Sequence, residues 1–228
     1  MAAAKSYSCN FTNVPVSIDG LLDDPVWETA QALEFRVPAT HAKPKGPSHG
    51  RVLWDDRYLY VGIKAEDKDI WGHFTARDSR TCEEDVLEVF LKPHRDRSAY
   101  YNFEINPLGT VYDAFNVRRG AGGGDHHRWS RWDCEGLVVG VDVKGSINDW
   151  RDVDEYWSLE VAIPFASLPT LEGRAPKPGD TWKFHLARYD YSVYLEAGVE
   201  LSSTTRFTNT RGSYFHRFED WQILKFQK

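Results

Sequence analysis

Alternation constrains this chain more than any other feature. From Tyr58 to Ala65, the residues Leu59, Val61, Ile63 and Ala65 point one way while Tyr60, Gly62 and Lys64 point the other, which is the period of a strand. The same period runs through Val86 to Lys92, where Leu87, Val89 and Leu91 oppose Glu88. It continues from Tyr100 to Asn106, where Tyr101, Phe103 and Ile105 oppose Asn102, Glu104 and Asn106. It returns in Trp157 to Ile163, and in Trp182 to Leu186 with Lys183 and His185 on the other side. Short two-sided segments bounded by turn formers predict an all-β architecture with one face of each strand in the core. The expected core set is Leu59, Val61, Leu87, Val89, Phe103, Ile105, Leu159, Val161 and Phe184. Only Asp24-Pro25 to Leu33 reads as a helix, with Asp24 as cap, Pro25 in the first turn, and Trp27, Ala30 and Leu33 on the buried face.

The breaker runs Lys43-Pro44-Lys45-Gly46-Pro47 and Gly120-Ala121-Gly122-Gly123-Gly124 read as loops, and 228 residues suit one large β domain spanning 1–228. A formal charge of −6 with no basic stripe argues against nucleic acid as a partner. No stretch is apolar for long enough to cross a membrane, and Met1 to Asn10 lacks the apolar core of a signal peptide. A chain whose export signal had been removed would look the same, so the compartment stays open between cytoplasmic and exported. Cys9, Cys82 and Cys134 are three widely spaced thiols without a Cys-x-x-Cys pair, and reduced cysteines are expected. Aromatic residues reach 14%, which suits a β-rich core and equally a set of stacking platforms for ligands.

Several motifs keep a common order along the chain. They are Ile18-Asp19-Gly20-Leu21-Leu22-Asp23-Asp24-Pro25-Val26-Trp27, Leu53-Trp54-Asp55-Asp56-Arg57-Tyr58, and Glu84-Asp85-Val86-Leu87-Glu88-Val89-Phe90. Further on come Tyr101-Asn102-Phe103-Glu104-Ile105-Asn106-Pro107, Trp157-Ser158-Leu159-Glu160-Val161-Ala162-Ile163-Pro164-Phe165, and Phe215-His216-Arg217-Phe218-Glu219-Asp220-Trp221. In this set the chain resembles the family 9 carbohydrate-binding modules, in particular their free-standing relatives. The resemblance implies a two-sheet antiparallel β-sandwich, jelly-roll-like, with one short helix near the N-terminus. Much of the set is scaffold on physical grounds alone: Asp19-Gly20 suits a tight turn, Asp55-Asp56 a hairpin, and Pro164 a strand end.

The resemblance also implies non-catalytic binding of a mono- or oligosaccharide, or another small polar ligand, between aromatic rings with polar side chains on its hydroxyls. By position the family's strand acid falls on Glu88, and its Arg and Asn fall on Glu104 and Asn106, which reverses one charge. The aromatic residue six positions before the acid falls on Cys82, and the C-terminal ring falls on Tyr214 with Phe215 beside it. Trp71, Trp129 and Trp132 are candidates to replace the lost ring. Arg188 sits on the apolar parity of its strand and is expected to pair with Glu88 or Glu104. His185 joins the expected ligand-binding set of Glu88, Glu104, Asn106, Arg188, Tyr214, Phe215 and Cys82.

Two other readings compete. An enzyme using the same cleft would draw acid and base from Glu88, Glu104, His185 and His216. A haem domain of the related DOMON-like type would need axial ligands, and with Met1 the sole methionine a bis-His pair among His126, His127, His185 and His216 is what remains. No cofactor is required by the sequence. Family 9 modules can carry structural calcium, for which Asp19, Asp23, Asp24, Asp67 and Asp69 offer hard oxygen ligands, although no run has the spacing of a known calcium loop.

Overall fold

The computed structural model describes residues 5–119, 132–209 and 214–228, without the side chain of Tyr214. Its strands are β1 (Ser6–Phe11), β2 (Leu33–Glu34), β3 (Ser48–Trp54), β4 (Tyr58–Glu66), β5 (Val86–Lys92) and β6 (Tyr100–Ile105). They continue as β7 (Val111–Asn116), β8 (Val138–Lys144), β9 (Tyr156–Pro164), β10 (Thr181–Tyr191), β11 (Val199–Ser203) and β12 (Gln222–Gln227). The remaining regular elements among the described residues are short 3-10 turns, and none is long and apolar enough to cross a membrane.

The expected all-β class holds, but the expected division into two antiparallel sheets does not describe the hydrogen bonding. One continuous path runs β7-β6-β5-β10-β12-β1-β3-β4-β9-β8, with β11 added beside β10 and β2 beside β3. The halves are joined by parallel pairs, β12 with β1 and β1 with β3, while the other ladders are antiparallel. The path curls until the inner faces of its two halves share one apolar cluster. That cluster contains every residue of the expected core set, from Leu59 and Val61 of β4 to Leu87 and Val89 of β5. Alternation predicted these faces correctly because the inner parity of each strand carries the large apolar residues.

Two further clusters cover outer faces. Val16, Trp27 and Ala30 of the N-terminal segment lie on Leu53, Tyr60 and Ala162. Phe207, Phe215 and Trp221, from the connection between β11 and β12, lie on Phe90, Tyr100 and Ala187. As a result β5 and β6 are buried on both faces, and their polar outer side chains are covered as well.

The expected helix from Pro25 to Leu33 is a 3-10 turn over Pro25–Thr29, ended by Ala30 in an extended conformation, and Leu33 already belongs to β2. Asp24 makes no capping bond. Its carboxylate accepts instead from the Ser17 backbone N–H at 2.7 Å, so nothing propagates the turn into an α-helix. The segment is fastened by Glu160 of β9, whose carboxylate accepts from the N–H groups of Asp19 and Gly20 and from Trp27 Nε1. Gly20, at φ +90°, lies so close to the β8 backbone that a Cβ would sit 2.4 Å from Val141 C.

Candidate functional site

On the outer face of the β7-β6-β5-β10 half, register places Tyr112, Glu104, Glu88 and Ala187 in a single row, one from each strand. Glu88 and Glu104 are direct cross-strand partners, as their parity and the short connection between β5 and β6 predict. Both are buried, at 3% and 7% exposure. Glu104 accepts from the Thr81 hydroxyl at 2.9 Å and from the Asn102 amide at 2.8 Å. Burial raises both carboxyls, and for Glu88 the charge of Glu104 adds to the effect; Glu104, pulled back by its donors, is pushed up to about 7.

Cys82, half-buried on the 3-10 turn Thr81–Glu83, lies close enough to feel both acids; burial first, then Glu104 and Glu88, push its thiol up to about 12. Such a thiol is not a nucleophile at neutral pH. Tyr191 donates its hydroxyl to the Cys82 carbonyl at 3.0 Å, and Tyr189 lies nearly parallel to Tyr191 with ring centroids 6.5 Å apart. Tyr112 is raised by burial and by the charge of Glu104. The polar row is thus flanked by Tyr112 on β7 and by Tyr189 and Tyr191 on β10.

The remaining expected site residues part company with this row. Asn106 shares the face but is saturated: its amide donates to Phe74 O at 2.8 Å and Glu84 Oε1 at 2.6 Å, and its oxygen accepts from Leu108 and Thr110 at 3.0 and 2.8 Å. No hydrogen-bonding capacity remains for a ligand. Arg188 does not pair with Glu88 or Glu104, because it points to the opposite face. There, at 0% exposure, it binds Asp67 at 2.7 Å and Asp190 at 3.2 Å and donates to Gly46 O, Glu66 O and Ser48 Oγ.

His185 is on the same face as Glu88 but sealed among Phe90, Phe207, Phe215 and Trp221, which drives its pKa far down. Phe215 is a buried anchor of that cover, packed on Tyr189 at 5.6 Å, and the Tyr214 side chain lies outside the described residues. His216 packs on Phe90 and bonds Tyr100, and burial lowers it to about 4. Trp71 is half-buried, and its backbone N–H donates to the Asp85 carboxylate at the foot of β5. Trp132 packs on Tyr101 and Phe115, at the edge of the inner core. Trp129, His126 and His127 lie outside the described residues.

Of the loop acids considered for calcium, Asp19 and Asp24 serve the turn around Ser17 and Asp23 is exposed. Among the described residues, Asp67, Asp85 and Asp190 form a buried acid group with ligand atoms within 4.8 Å of one another. Arg188 already supplies positive charge there, and Asp85 accepts from the N–H groups of Trp71 and Tyr191. The guanidinium thus meets two of the three acids, Asp67 and Asp190.

The Carbohydrate family 9 binding domain-like family matches residues 18–212, a span that takes in the row and both of its flanks. The chain belongs to this family. Among curated proteins it is similar to the endo-1,4-beta-xylanase A of Thermotoga maritima, 31% identical over 85 residues, which are 37% of this chain and 8% of that protein. It is also similar to the exoglucanase XynX of Acetivibrio thermocellus, 26% identical over 96 residues, 42% of this chain and 8% of that one. The chain thus spans about 8% of the length of these relatives. Among solved structures, a protein of Bacteroides uniformis aligns with TM-score 0.71 at 16% identity, over 99% of this chain and 100% of that one. A family 9 module of Caldicellulosiruptor kristjanssonii solved with cellotriose aligns with TM-score 0.64 at 16% identity, over 98% and 94%.

Within family 9, this chain carries a buried acid pair where the resemblance implied an acid and an arginine. Tyr112 and Tyr189 were missed as flanking rings although the signal was present: each lies on the outer parity of its strand, and the tight turn at Asn106–Thr110 fixes the register of Tyr112 beside Glu104. Thr81 carried no such signal, because a contact from a turn onto a strand face has no period.

Proposed function

We propose that the chain works as one β-sandwich domain that binds a mono- or oligosaccharide without breaking it. The observation that carries this reading is the row itself: acceptor groups on neighbouring strands, bracketed by tyrosines, on a chain of family 9. Tyrosine rings offer a flat face to sugar C–H groups, while Glu88, Glu104 and Cys82 offer polar contacts to hydroxyls. The single inner core shared by both halves supports one sandwich-like unit, and the charge of −6 leaves nucleic acid without a cationic surface. The cellotriose and glucose found with family 9 modules of Caldicellulosiruptor kristjanssonii make β-linked glucose oligomers the first ligands to try.

Acid–base catalysis gains less from this geometry. The two carboxyls stand side by side on one wall, whereas glycoside hydrolysis needs them on either side of the scissile bond. No calcium is required in this reading, since the acid cluster near β10 carries its own cation.

The test is calorimetric titration with glucose, cellobiose and cellotriose. Glu104→Ala and Tyr112→Ala should each weaken binding about tenfold, the size of one lost polar or stacking contact. Unchanged affinity in both variants would place the site elsewhere.

A further inference from the structure

Nearly every buried acid of the described chain is matched. Asp67 and Asp190 meet Arg188, Asp113 meets Arg77, and the others accept N–H or O–H groups. Glu88 is different: among the described residues it accepts no hydrogen bond and forms no ion pair, although it is 3% exposed. Beside it on the same face, the amide oxygen of Asn102 is also buried without a partner. Both unmet groups are on the acceptor side of a hydrogen bond once Glu88 ionises. No Lys or Arg among the described residues pairs with Glu88 or Glu104, and the nearby Arg80 is an exposed partner of Glu83. What the row lacks is therefore donors and positive charge, and burial makes both lacks costly.

An ammonium group supplies both at once, with three N–H donors and a full charge. We propose that the row of Tyr112, Glu104 and Glu88 selects a saccharide bearing a protonated amino group, a glucosamine unit, over a neutral sugar of the same shape. This rests on the carbohydrate-binding reading and narrows its ligand class.

The experiment compares three β-1,4-linked trimers on the intact protein by calorimetry at neutral pH, where Glu104 is partly ionised: cellotriose, the glucosamine trimer, and the N-acetylglucosamine trimer. The glucosamine trimer should bind about tenfold more tightly than either of the others, the worth of one charge-assisted contact. Glu88→Gln should remove that advantage, while Glu83→Gln, on an exposed acid nearby, should leave it intact. Should Glu88→Gln fail to fold, the ratio of wild-type affinities decides alone. Cellotriose binding as tight as the glucosamine trimer, and still weakened by Glu104→Ala, would overturn the ammonium preference and leave carbohydrate binding standing. Binding of none of the three would overturn both.

Discussion

Glu104 binds its proton more tightly in the folded chain than in the unfolded one, with a pKa moved from 4.5 to about 7. Between those values the native state holds more protons, so the contribution of Glu104 to stability falls as pH rises from 4.5 to about 7. His216 runs the other way. Lowered from 6.5 to about 4, it costs stability as pH falls through that interval. Glu104→Gln should remove the alkaline-side loss only, so the gain in melting temperature over wild type should grow between 4.5 and about 7 and then level off. Thermal melts over that range check it; a constant difference would mean that folding leaves the Glu104 pKa at its ordinary value. At this scale the sequence was legible where parity governs. The pairing of Glu88 with Glu104 followed from alternation and a short connection, whereas the saturation of Asn106 depends on Phe74 and Glu84, placed by a loop with no period.

Strands were legible as elements because each presents one apolar parity to the inner core, and the nine expected core residues all reach it. The helix was not. Its pattern at Trp27, Ala30 and Leu33 arises from two separate elements, a short turn that buries Trp27 and Ala30 in the outer cluster and a strand that buries Leu33 in the inner core. What fixes that segment is a carboxylate on β9. Glu160→Ala would leave the N–H groups of Asp19, Gly20 and Trp27 without their acceptor and should cost about 3 kcal/mol, from buried donors left unpaired. Urea unfolding measures this, and a loss below about 1 kcal/mol would show that apolar contact with Tyr60 and Ala162 holds the segment unaided.

For the whole molecule, Arg188 of β10 ties one half of the curled sheet to the other. Its guanidinium reaches Ser48 at the start of β3 and Glu66 and Asp67 at the end of β4. Arg188→Met would strand Asp67 and Asp190 in the interior and should destabilise the fold by about 3–5 kcal/mol, measured by denaturant unfolding. Treating the wild type with a calcium chelator should leave its melting temperature unchanged. This brace escaped the sequence reading because Asp67 comes from a distant segment, and position alone made Glu88 and Glu104 the obvious partners. The closure of the sheet escaped for a related reason, since parallel pairing of β1 with β12 joins segments more than two hundred residues apart in sequence. That pairing bears on how the protein is made. Ser6 to Asn10 must wait for Ile223 to Gln227 before the middle of the sheet exists, so a ribosome delivers every strand between them before the fold can close, and the emerging chain carries unpaired strand edges until then.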